Sequence, residues 1–373
     1  MAFSINGTNG LVFNDNSTQA TAATGFGFKN RIIDGAMQID QRNAGASVTP
    51  TNGQYTIDRW CSFLSQSSKY TVQRNAGSVT PPAGFSNYLG VTSLSAYSVL
   101  TSDTFFQYQP IEGFNFADMA WGTANAQTVT LSFWVRSSLT GTFGGALTNE
   151  AANRSYPFSY TVSSANTWEQ KTISIAGDTT GTWVGATNGT GALLRFGLGS
   201  GSTFTSTAGS WQSGNFVQPT GSVSVVGTNG ATFYITGVQL EKGITATSFD
   251  YRPYGTELAL CQRYYAKSYN QSTVPGSNAG TTNSAQGLNG TDGNQIQGFR
   301  TPVTMRTSAT ARVWTLSGTL ASLSTTSEVN SNINNGSWSP YGMGDQGCRA
   351  IVGTGGLTSG TAYVYHWDAS AEL

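Results

Sequence analysis

Residues 233–265 constrain the fold of this chain more than any other stretch, because the hydrophobic period changes within them. They read FYITGVQLEKGITATSFDYRPYGTELALCQRYY. Residues 233–240 alternate as a strand does, and the chain then passes a glycine turn and runs extended into Arg252-Pro253. From Gly255 onward the apolar residues are spaced as on one face of a short helix. A strand that ends one unit and a helix that begins the next predict a domain boundary here.

Composition predicts an all-β protein. Only 10% of the 373 residues are charged, and 46 glycines and 10 prolines favour frequent turns over long helices. Aromatic residues make up 12% of the chain, which argues against disorder, because disordered chains are poor in aromatics. We therefore expect many short strands joined by polar turns.

Charge and hydropathy argue against several classes of partner. The 18 basic and 18 acidic residues cancel and form no run of one sign, so we expect no nucleic-acid binding. The chain has no apolar stretch long enough to predict membrane insertion, and its first residues do not resemble a signal peptide. Cys61, Cys261 and Cys348 are odd in number and far apart, which predicts buried free thiols and folding in a reducing cytosol.

Alternating segments between residues 30 and 254 predict a two-sheet sandwich. The clearest lies at 129–136, where Val129, Leu131, Phe133 and Val135 share one face. Further predicted strands lie at 30–39, 55–63, 69–73, 171–175, 193–198, 223–226 and 233–240, with one helical turn at 114–119. About eight strands over this length favour a sandwich of the jelly-roll type.

The two flanks predict different structures. Residues 1–29 are small and polar and bury too little to fold alone, so we expect either an extended segment that adds strands to a neighbouring protein or a disordered leader. Beyond residue 254, strands are predicted at 311–316 and 361–369, and 270–294 is predicted to be a long loop or a pair of loops. These predict a smaller second β-sandwich.

Several blocks resemble those of phage tail-fibre and other virion-appendage proteins. They are GLVFNDNSTQATAA, NRIIDGAMQIDQR, IEGFNFADMAWGTANAQTVTLSFWVRSS, YITGVQLEKGITATSFDYRP, CQRYY, FRTPVTMR and the final DASAEL. FRTPVTMR departs from the family's FPV-x-MR by the inserted Arg300-Thr301, which leaves the local register open.

The resemblance implies a virion-docking segment (1–29), a jelly-roll sandwich laid out like carbohydrate-binding modules (30–254) and a C-terminal sandwich at the receptor-binding tip (255–373). It also implies a homotrimer located in the virion, bound to other virion proteins through 1–29. Helix residues 259–265 are expected either to pack near the threefold axis or to cap the first sandwich.

Catalytic and metal-binding residues give weak signals. The chain's one histidine, His366, lies within a predicted strand, and no GxSxG motif accompanies it, so we expect no enzymatic activity and no cofactor. Jelly-roll modules of the carbohydrate-binding type often carry a structural calcium near the first and last strands. The carboxylates in those places are Asp34, Asp40, Glu241 and Asp250. They are either ordinary strand-end caps or calcium ligands, and the sequence leaves both alternatives open.

Aromatic residues in polar loops are the candidate carbohydrate-binding residues, because rings in strands are explained by core packing. Trp338 and Tyr341 lie in NNGSWSPYG, and Trp211 lies in AGSWQSG, with Trp183 a further candidate. Loop anchoring or a subunit interface would also account for these rings. The function expected is a tail fibre that binds host surface glycans by many weak contacts. The alternatives are a head fibre or capsid-decoration protein without a host receptor, and a hydrolase of surface glycans.

Overall fold

The computed structural model describes residues 28–287, 294–325, 337–354, 357–358 and 360–373, and the backbone alone of 4–6, 10–12, 18–19, 288 and 332–333. Three short amino-terminal strands pair antiparallel in sequence order: β1 (Ser4–Asn6), β2 (Gly10–Val12) and β3 (Thr18–Gln19). These strands pair with each other within the chain. Strand addition to a neighbouring protein stays a prediction, and residues 13–17 and 20–23 of the resembling block lie outside the described residues.

A two-sheet β-sandwich forms the next part of the chain, as predicted. Its strands are β4 (Gln54–Ile57), β5 (Trp60–Leu64), β6 (Tyr70–Arg74), β7 (Leu89–Ser93), β8 (Thr104–Glu112), β9 (Val129–Ser137), β10 (Gly141–Thr148), β11 (Arg154–Val162), β12 (Glu169–Ile175), β13 (Thr190–Ser200), β14 (Thr205–Ser206), β15 (Gln212–Ser213), β16 (Gln218–Pro219) and β17 (Thr232–Lys242). One sheet has seven strands in the order β15-β11-β10-β13-β8-β5-β4, and the other has five in the order β12-β9-β17-β7-β6. The pair β14 and β16 is parallel, and the segment that carries it lies on the outer face of the larger sheet, where Pro219 meets Gly144.

The sandwich core follows from strand alternation. On β9 the inward residues Val129, Leu131, Phe133 and Val135 are all fully buried, and they face the aromatic inner surface of the larger sheet. The Phe133 ring meets Phe196 of β13 edge-on at 5.0 Å between centroids. Four short 3₁₀ turns lie between strands: Ala76–Ser78, Gly113–Asn115, Ala117–Met119 and Ser202–Phe204. Two of them confirm the helical turn predicted at 114–119.

Two predicted strands are wrong, and a third, at 55–63, is instead the antiparallel hairpin of β4 and β5. Residues 30–39 form turns, because Asp34 and Met37 adopt positive φ, and the segment is held to β17 by the Asn30 side chain, whose amide donates to the Val238 carbonyl at 3.0 Å. Residues 223–226 are also irregular, although Val225 and Val226 are buried. In both segments burial explains the hydrophobic pattern without a strand ladder.

Seven strands of this sandwich escaped prediction. Three of them, β14, β15 and β16, are only two residues long, and the other four contain residues that weaken the strand pattern. Pro110 lies in β8 and Pro157 lies in β11, and proline cannot donate to a ladder. The centre of β10 is Gly144-Gly145. The fourth, β7, is the short sequence LGVTS.

The C-terminal part is a second, smaller β-sandwich. Its elements are helix α1 (Tyr254–Gln262) and strands β18 (Tyr265–Lys267), β19 (Ala285–Leu288), β20 (Gln295–Gln297), β21 (Thr310–Trp314), β22 (Leu323–Thr325), β23 (Asn332–Ile333), β24 (Ser339–Gly344), β25 (Gly347–Val352) and β26 (Ala362–Ser370). Strand β26 is central, since β18 and β21 both pair with its last residues while β19 and β22 both pair with its first half. The order β20-β25-β24 forms the second sheet. The core between them includes Ile351, Tyr365 and Trp367.

Helix α1 packs on the irregular opening segment of the first sandwich. Cys261 in the helix and Tyr264 just past its end are fully buried against Ile33 and Ile39. These contacts agree with the alternative in which the helix caps the first sandwich. The helix ends three residues earlier than expected, because Tyr265 already belongs to β18.

Two further sequence expectations concern burial. Cys61, Cys261 and Cys348 are buried free thiols, as predicted. In the part of the chain that the structure describes, no helix is long and apolar enough to cross a membrane.

Candidate functional site

Three tryptophans from separate loops meet at one edge of the first sandwich. Trp121 follows the 3₁₀ turns, Trp183 lies between β12 and β13, and Trp211 lies between β14 and β15. Each pair meets edge-on: the ring centroids of Trp121 and Trp183 are 4.8 Å apart, those of Trp121 and Trp211 are 5.1 Å apart, and those of Trp183 and Trp211 are 5.4 Å apart. We call these three residues the tryptophan cluster.

The tryptophan cluster joins the edges of both sheets. Trp211 comes just before the edge strand β15, and its indole N–H donates at 2.8 Å to the carbonyl of Ala176, which comes just after the edge strand β12. Phe116 and Tyr156 line the cluster from below, with centroids 4.9 Å from Trp121 and 5.3 Å from Trp211 respectively. The cluster therefore closes the sandwich edge, while Trp183 and Trp211 stay partly exposed.

Protein acceptors take all three indole N–H groups. Trp121 donates to the Gln127 carbonyl at 2.7 Å, and Trp183 donates to Asp178 Oδ2 at 3.2 Å. Ala176 takes the third, as above. The cluster thus has no free indole donor, and what it offers a ligand is the C–H and π surface of rings held in fixed orientations.

An ion pair between the partly buried Arg154 and the buried Asp178 supports the cluster. Asp178 accepts from Arg154 Nε at 2.8 Å and from Arg154 Nη2 at 2.6 Å, and the guanidinium lies 5.9 Å from the Trp211 ring centroid. Burial alone would raise the pKa of Asp178, but hydrogen bonds from Arg154, Thr180 and Trp183 outweigh it and lower the pKa. The charged Asp178 therefore fixes both Arg154 and the Trp183 ring.

Two glycines allow the loops to come this close. Gly122 has φ +83°, and a Cβ there would lie 2.9 Å from the carbonyl oxygen of Gly181. Gly181 has φ +79°, and a Cβ there would lie 2.7 Å from Arg154 Cγ. The turn chemistry of both loops is thus tied to the position of Trp183.

The other two predicted carbohydrate-binding residues, Trp338 and Tyr341, lie in the C-terminal unit and do not belong to the tryptophan cluster. Trp338 is only 1% exposed, in the core of the C-terminal unit, so its ring offers no face to a ligand here. It was expected in an exposed loop; residues 334–336 of that loop lie outside the described residues. Tyr341 is 57% exposed on β24, as a loop or surface aromatic should be.

A shallow polar groove lies beside the hairpin of β24 and β25. Its volume is about 440 Å³, and Gln297, Arg300, Asp345 and Arg349 line it together with several glycines. Among the described residues that line this groove, none is a partly exposed aromatic residue like those of the tryptophan cluster.

The carboxylates considered as calcium ligands act as caps. Asp34 accepts from the Gln38 and Ile39 amides, Asp40 accepts from the Asn43 and Gly45 amides, and Glu241 accepts from Thr247. Asp250 accepts from the Asn30 amide at 3.3 Å. Among the described residues, no group of three or more His, Cys, Asp or Glu side chains is arranged to hold a metal ion.

Trp121 and Phe116 are parts of the site that sequence reasoning missed. Trp121 lies in AWGTANA, a polar loop of the same character as those of Trp183 and Trp211. The rule that selected the other two would also have selected it. That the three loops meet is not visible in the sequence.

Comparison with known proteins gives no family. No protein-family model and no curated protein matches the chain.

Among solved structures, the enzymatically active domain of bacteriophage CBA120 tailspike protein 4 aligns with 12% identity and a TM-score of 0.33, over 57% of this chain and 21% of that one. A putative sugar binding protein from Bacteroides thetaiotaomicron aligns with 11% identity and a TM-score of 0.32, over 58% of this chain and 100% of that one. A family 11 carbohydrate-binding module of a Clostridium thermocellum cellulase aligns with 11% identity and a TM-score of 0.27, over 54% of this chain and 98% of that one. The chain spans about a fifth of the tailspike's length, and likenesses at these TM-scores carry no argument about what it binds.

Proposed function

We propose that the chain is a phage virion-appendage protein, a tail fibre or receptor-binding protein, that attaches the virion to host surface glycans without cleaving them. The observation that carries this proposal is the tryptophan cluster. Its two partly exposed rings are fixed by internal hydrogen bonds, so they offer stacking surface at little cost in conformational entropy. The tail-fibre assignment draws its support from the sequence blocks that resemble those proteins.

In this proposal the chain is a homotrimer whose residues 1–29 dock on other virion proteins. Three copies bring three clusters to one receptor surface, and avidity then multiplies a weak single-site affinity. The exposed Tyr341 gives the C-terminal unit a second contact surface at the tip.

The test is binding of the full chain to an array of bacterial surface polysaccharides. We expect Trp183→Ala to weaken binding about tenfold or more, equivalent to ~1.4 kcal/mol, because one stacking surface is lost. Trp168→Ala is the matched control: Trp168 is also partly buried, but it packs on Tyr88, outside the cluster. Thermal unfolding of both variants separates lost contact from lost folding.

The alternatives give different outcomes. A correctly assembled wild-type protein that binds no polysaccharide and does not block adsorption to any host would favour the head-fibre or decoration protein. Release of reducing sugar from host envelope, lost on changing one carboxylate, would favour the hydrolase. Equal binding by Trp183→Ala and Trp168→Ala would remove the tryptophan cluster from the binding surface.

A further inference from the structure

Arg195 is a buried cation that no carboxylate of the described residues neutralises. Two arginines of the described residues are buried, Arg59 at 1% exposure and Arg195 at 6%. Arg59 forms an ion pair with Glu372, whereas Arg195 pairs with no acidic side chain of the described residues. A buried unpaired charge is strongly destabilising, and such groups occur mainly where function requires them.

The hydrogen bonds of Arg195 are incomplete as well. Its Nη1 donates to Asn215 Oδ1 at 2.6 Å, and its buried Nε has no partner. Burial lowers the pKa of Arg195 to about 10, and Tyr108 opposes this only in part. Because even this pKa lies well above neutrality, the guanidinium stays charged and ready to accept an anion.

The register of the sheet places Arg195 among aromatic residues on the outer face. Arg195 lies opposite Tyr108 of β8, and Phe106 lies two residues before Tyr108 on the same face. The guanidinium is 5.1 Å from the Phe106 ring centroid, and Phe106 stacks on Phe63 at 4.7 Å with an interplanar angle of 5°. Tyr108 and Phe63 are partly exposed, so rings border the cation on the side that faces solvent.

A second orphan atom lies on the same face. Gln218 of β16 is 2% exposed, and its buried Oε1 has no hydrogen-bond partner. That oxygen lies over Gly197, two residues along β13 from Arg195, and a Cβ at Gly197 would come within 2.0 Å of it. The absence of a side chain at Gly197 leaves room for the amide. Asn215, which bonds Arg195, is exposed and forms the solvent rim of this group.

The two orphans require complementary groups. A cationic N–H donor is satisfied by an anion, and a carboxylate fits the planar guanidinium best. A neutral amide oxygen is satisfied by a hydroxyl or another neutral donor. A ligand that meets both therefore carries a carboxylate and a hydroxyl group, and has an apolar face to lie against Tyr108 and Phe63.

We propose that Arg195 and Gln218, with the Phe63–Phe106–Tyr108 surface beside them, form a subsite for an acidic sugar of the uronic-acid class. The assignment deepens the proposed function, on which the choice of a saccharide as ligand rests. The Arg195 guanidinium binds the carboxylate, Gln218 Oε1 accepts from a hydroxyl, and Tyr108 contacts the ring. The subsite is separate from the tryptophan cluster, although residues 211–218 contribute to both.

The experiment is a titration of the full chain with methyl glucuronide and methyl galacturonide, followed by NMR or calorimetry. Methyl glucoside and methyl galactoside are the matched neutral probes. We expect saturable binding of at least one acidic probe and at least tenfold weaker binding of its neutral counterpart. Arg195→Met should abolish this difference in affinity. The control is Arg136→Met, which should keep the difference, because Arg136 lies on the other sheet and its guanidinium donates to the Asn166 carbonyl.

A second readout separates a binding role from a structural one. Without ligand, Arg195→Met should unfold at a higher temperature than the wild type, because an unpaired buried charge is replaced by an apolar side chain of similar length. A lower unfolding temperature for Arg195→Met, with no acidic probe bound by the wild type, would overturn the proposal. So would a high-resolution structure in the presence of either acidic probe that shows only an ordered water between Arg195 and Gln218.

The outcomes also separate this subsite from the proposed function. Polysaccharide binding that depends on Trp183 but shows no preference for acidic sugars would overturn the subsite and leave the attachment role standing. Binding of methyl glucuronide that depends on Arg195, in a protein that retains no bacterial polysaccharide, would support the subsite and contradict attachment.

Discussion

His366 is buried as a neutral imidazole in the C-terminal unit. Its ring stacks on Tyr269 at 4.1 Å between centroids, its Nε2 lies 3.0 Å from the Gly280 carbonyl and its Nδ1 lies 3.1 Å from Ser268 Oγ. Nε2 must donate, because a carbonyl only accepts, so Nδ1 accepts from the serine hydroxyl. Both ring nitrogens therefore form hydrogen bonds within the C-terminal unit, which gives the chain's one histidine a structural role.

Stability should depend on pH through His366. Burial lowers the pKa of His366, so the unfolded chain, with a histidine pKa of about 6.5, binds the proton more readily than the folded chain. The contribution of His366 is therefore complete above about pH 6.5 and is lost as the pH falls toward the folded pKa. We expect urea unfolding to show a smaller fall in stability between pH 7 and pH 5 for His366→Gln than for the wild type. The other titrating groups, including Asp34, are common to both proteins and so cancel in the comparison. An equal fall in stability for His366→Gln and the wild type would contradict this account.

At the same scale, side-chain type alone did not reveal which residues are special. Trp338 and Trp211 both lie in Gly- and Ser-rich segments, yet one is buried in a core and the other stays partly exposed. Arg195, in LLRFGL, looks like an ordinary outward residue of a strand. What distinguishes it is that Gln218 and Asn215 fold back over that face, which is a long-range event.

Among elements, the hairpin of β24 and β25 depends on a glycine. Gly347, the first residue of β25, has φ +123°, and a Cβ there would lie 2.1 Å from the backbone oxygen of Phe299. That oxygen also accepts from the Cys348 amide at 3.1 Å, so it cannot move away without losing a hydrogen bond. The close approach fixes the hairpin to the segment before it.

Gly347→Ala should therefore destabilise the C-terminal unit. We expect a loss of about 1–3 kcal/mol from backbone strain and the displaced carbonyl, measured by denaturant unfolding. Gly344→Ala is the matched control, because it lies in the same hairpin and its Cβ would be 4.0 Å from the nearest atom, the Gly347 oxygen. A loss no larger for Gly347→Ala than for this control would show that the hairpin can relax around the added methyl group.

Strands with strict alternation could be predicted, and strands that break it could not. The predictions at 129–136, 171–175 and 233–240 agree with β9, β12 and β17. Strands β8, β10 and β11 contain prolines or glycines and are stabilised by their neighbours in the middle of the larger sheet. Local propensity is a weak guide where the surrounding ladder supplies the stability.

At the scale of the whole molecule, ion pairs join the two units. Arg59 of the first sandwich pairs with Glu372 near the end of the chain, and Arg42 also contacts Glu372, at 2.6 Å. Arg263, just past α1, donates to Glu112 of β8 at 2.6 Å and 2.9 Å. Burial alone would raise the pKa of Glu112, but the hydrogen bonds from Arg263 and Tyr264 outweigh it and lower the pKa.

Glu372→Gln should weaken this junction. The change leaves the Arg59 charge buried without its partner, which typically costs about 3–5 kcal/mol. We expect calorimetry to show a lower unfolding temperature and two separated transitions where the wild type shows one. Asp118→Asn, which removes a half-exposed partner of Arg31, should cost no more than about 1 kcal/mol. A single transition at the wild-type temperature for Glu372→Gln would mean that the junction does not depend on the Glu372 carboxylate.

The sequence by itself determined the fold class, an all-β chain built from sandwiches of short strands. Hydrophobic period, turn residues and composition are local properties, and they suffice to predict strands, turns and a short helix. Only the tertiary structure decided which rings meet in the tryptophan cluster, which carboxylates cap loops, and which arginine lacks a counter-charge. Those features depend on contacts between residues far apart in the chain, such as Arg59 with Glu372 and Arg195 with Asn215 and Gln218. No local pattern specifies such contacts, because burial and pairing arise from how the sheets pack rather than from the residues alone.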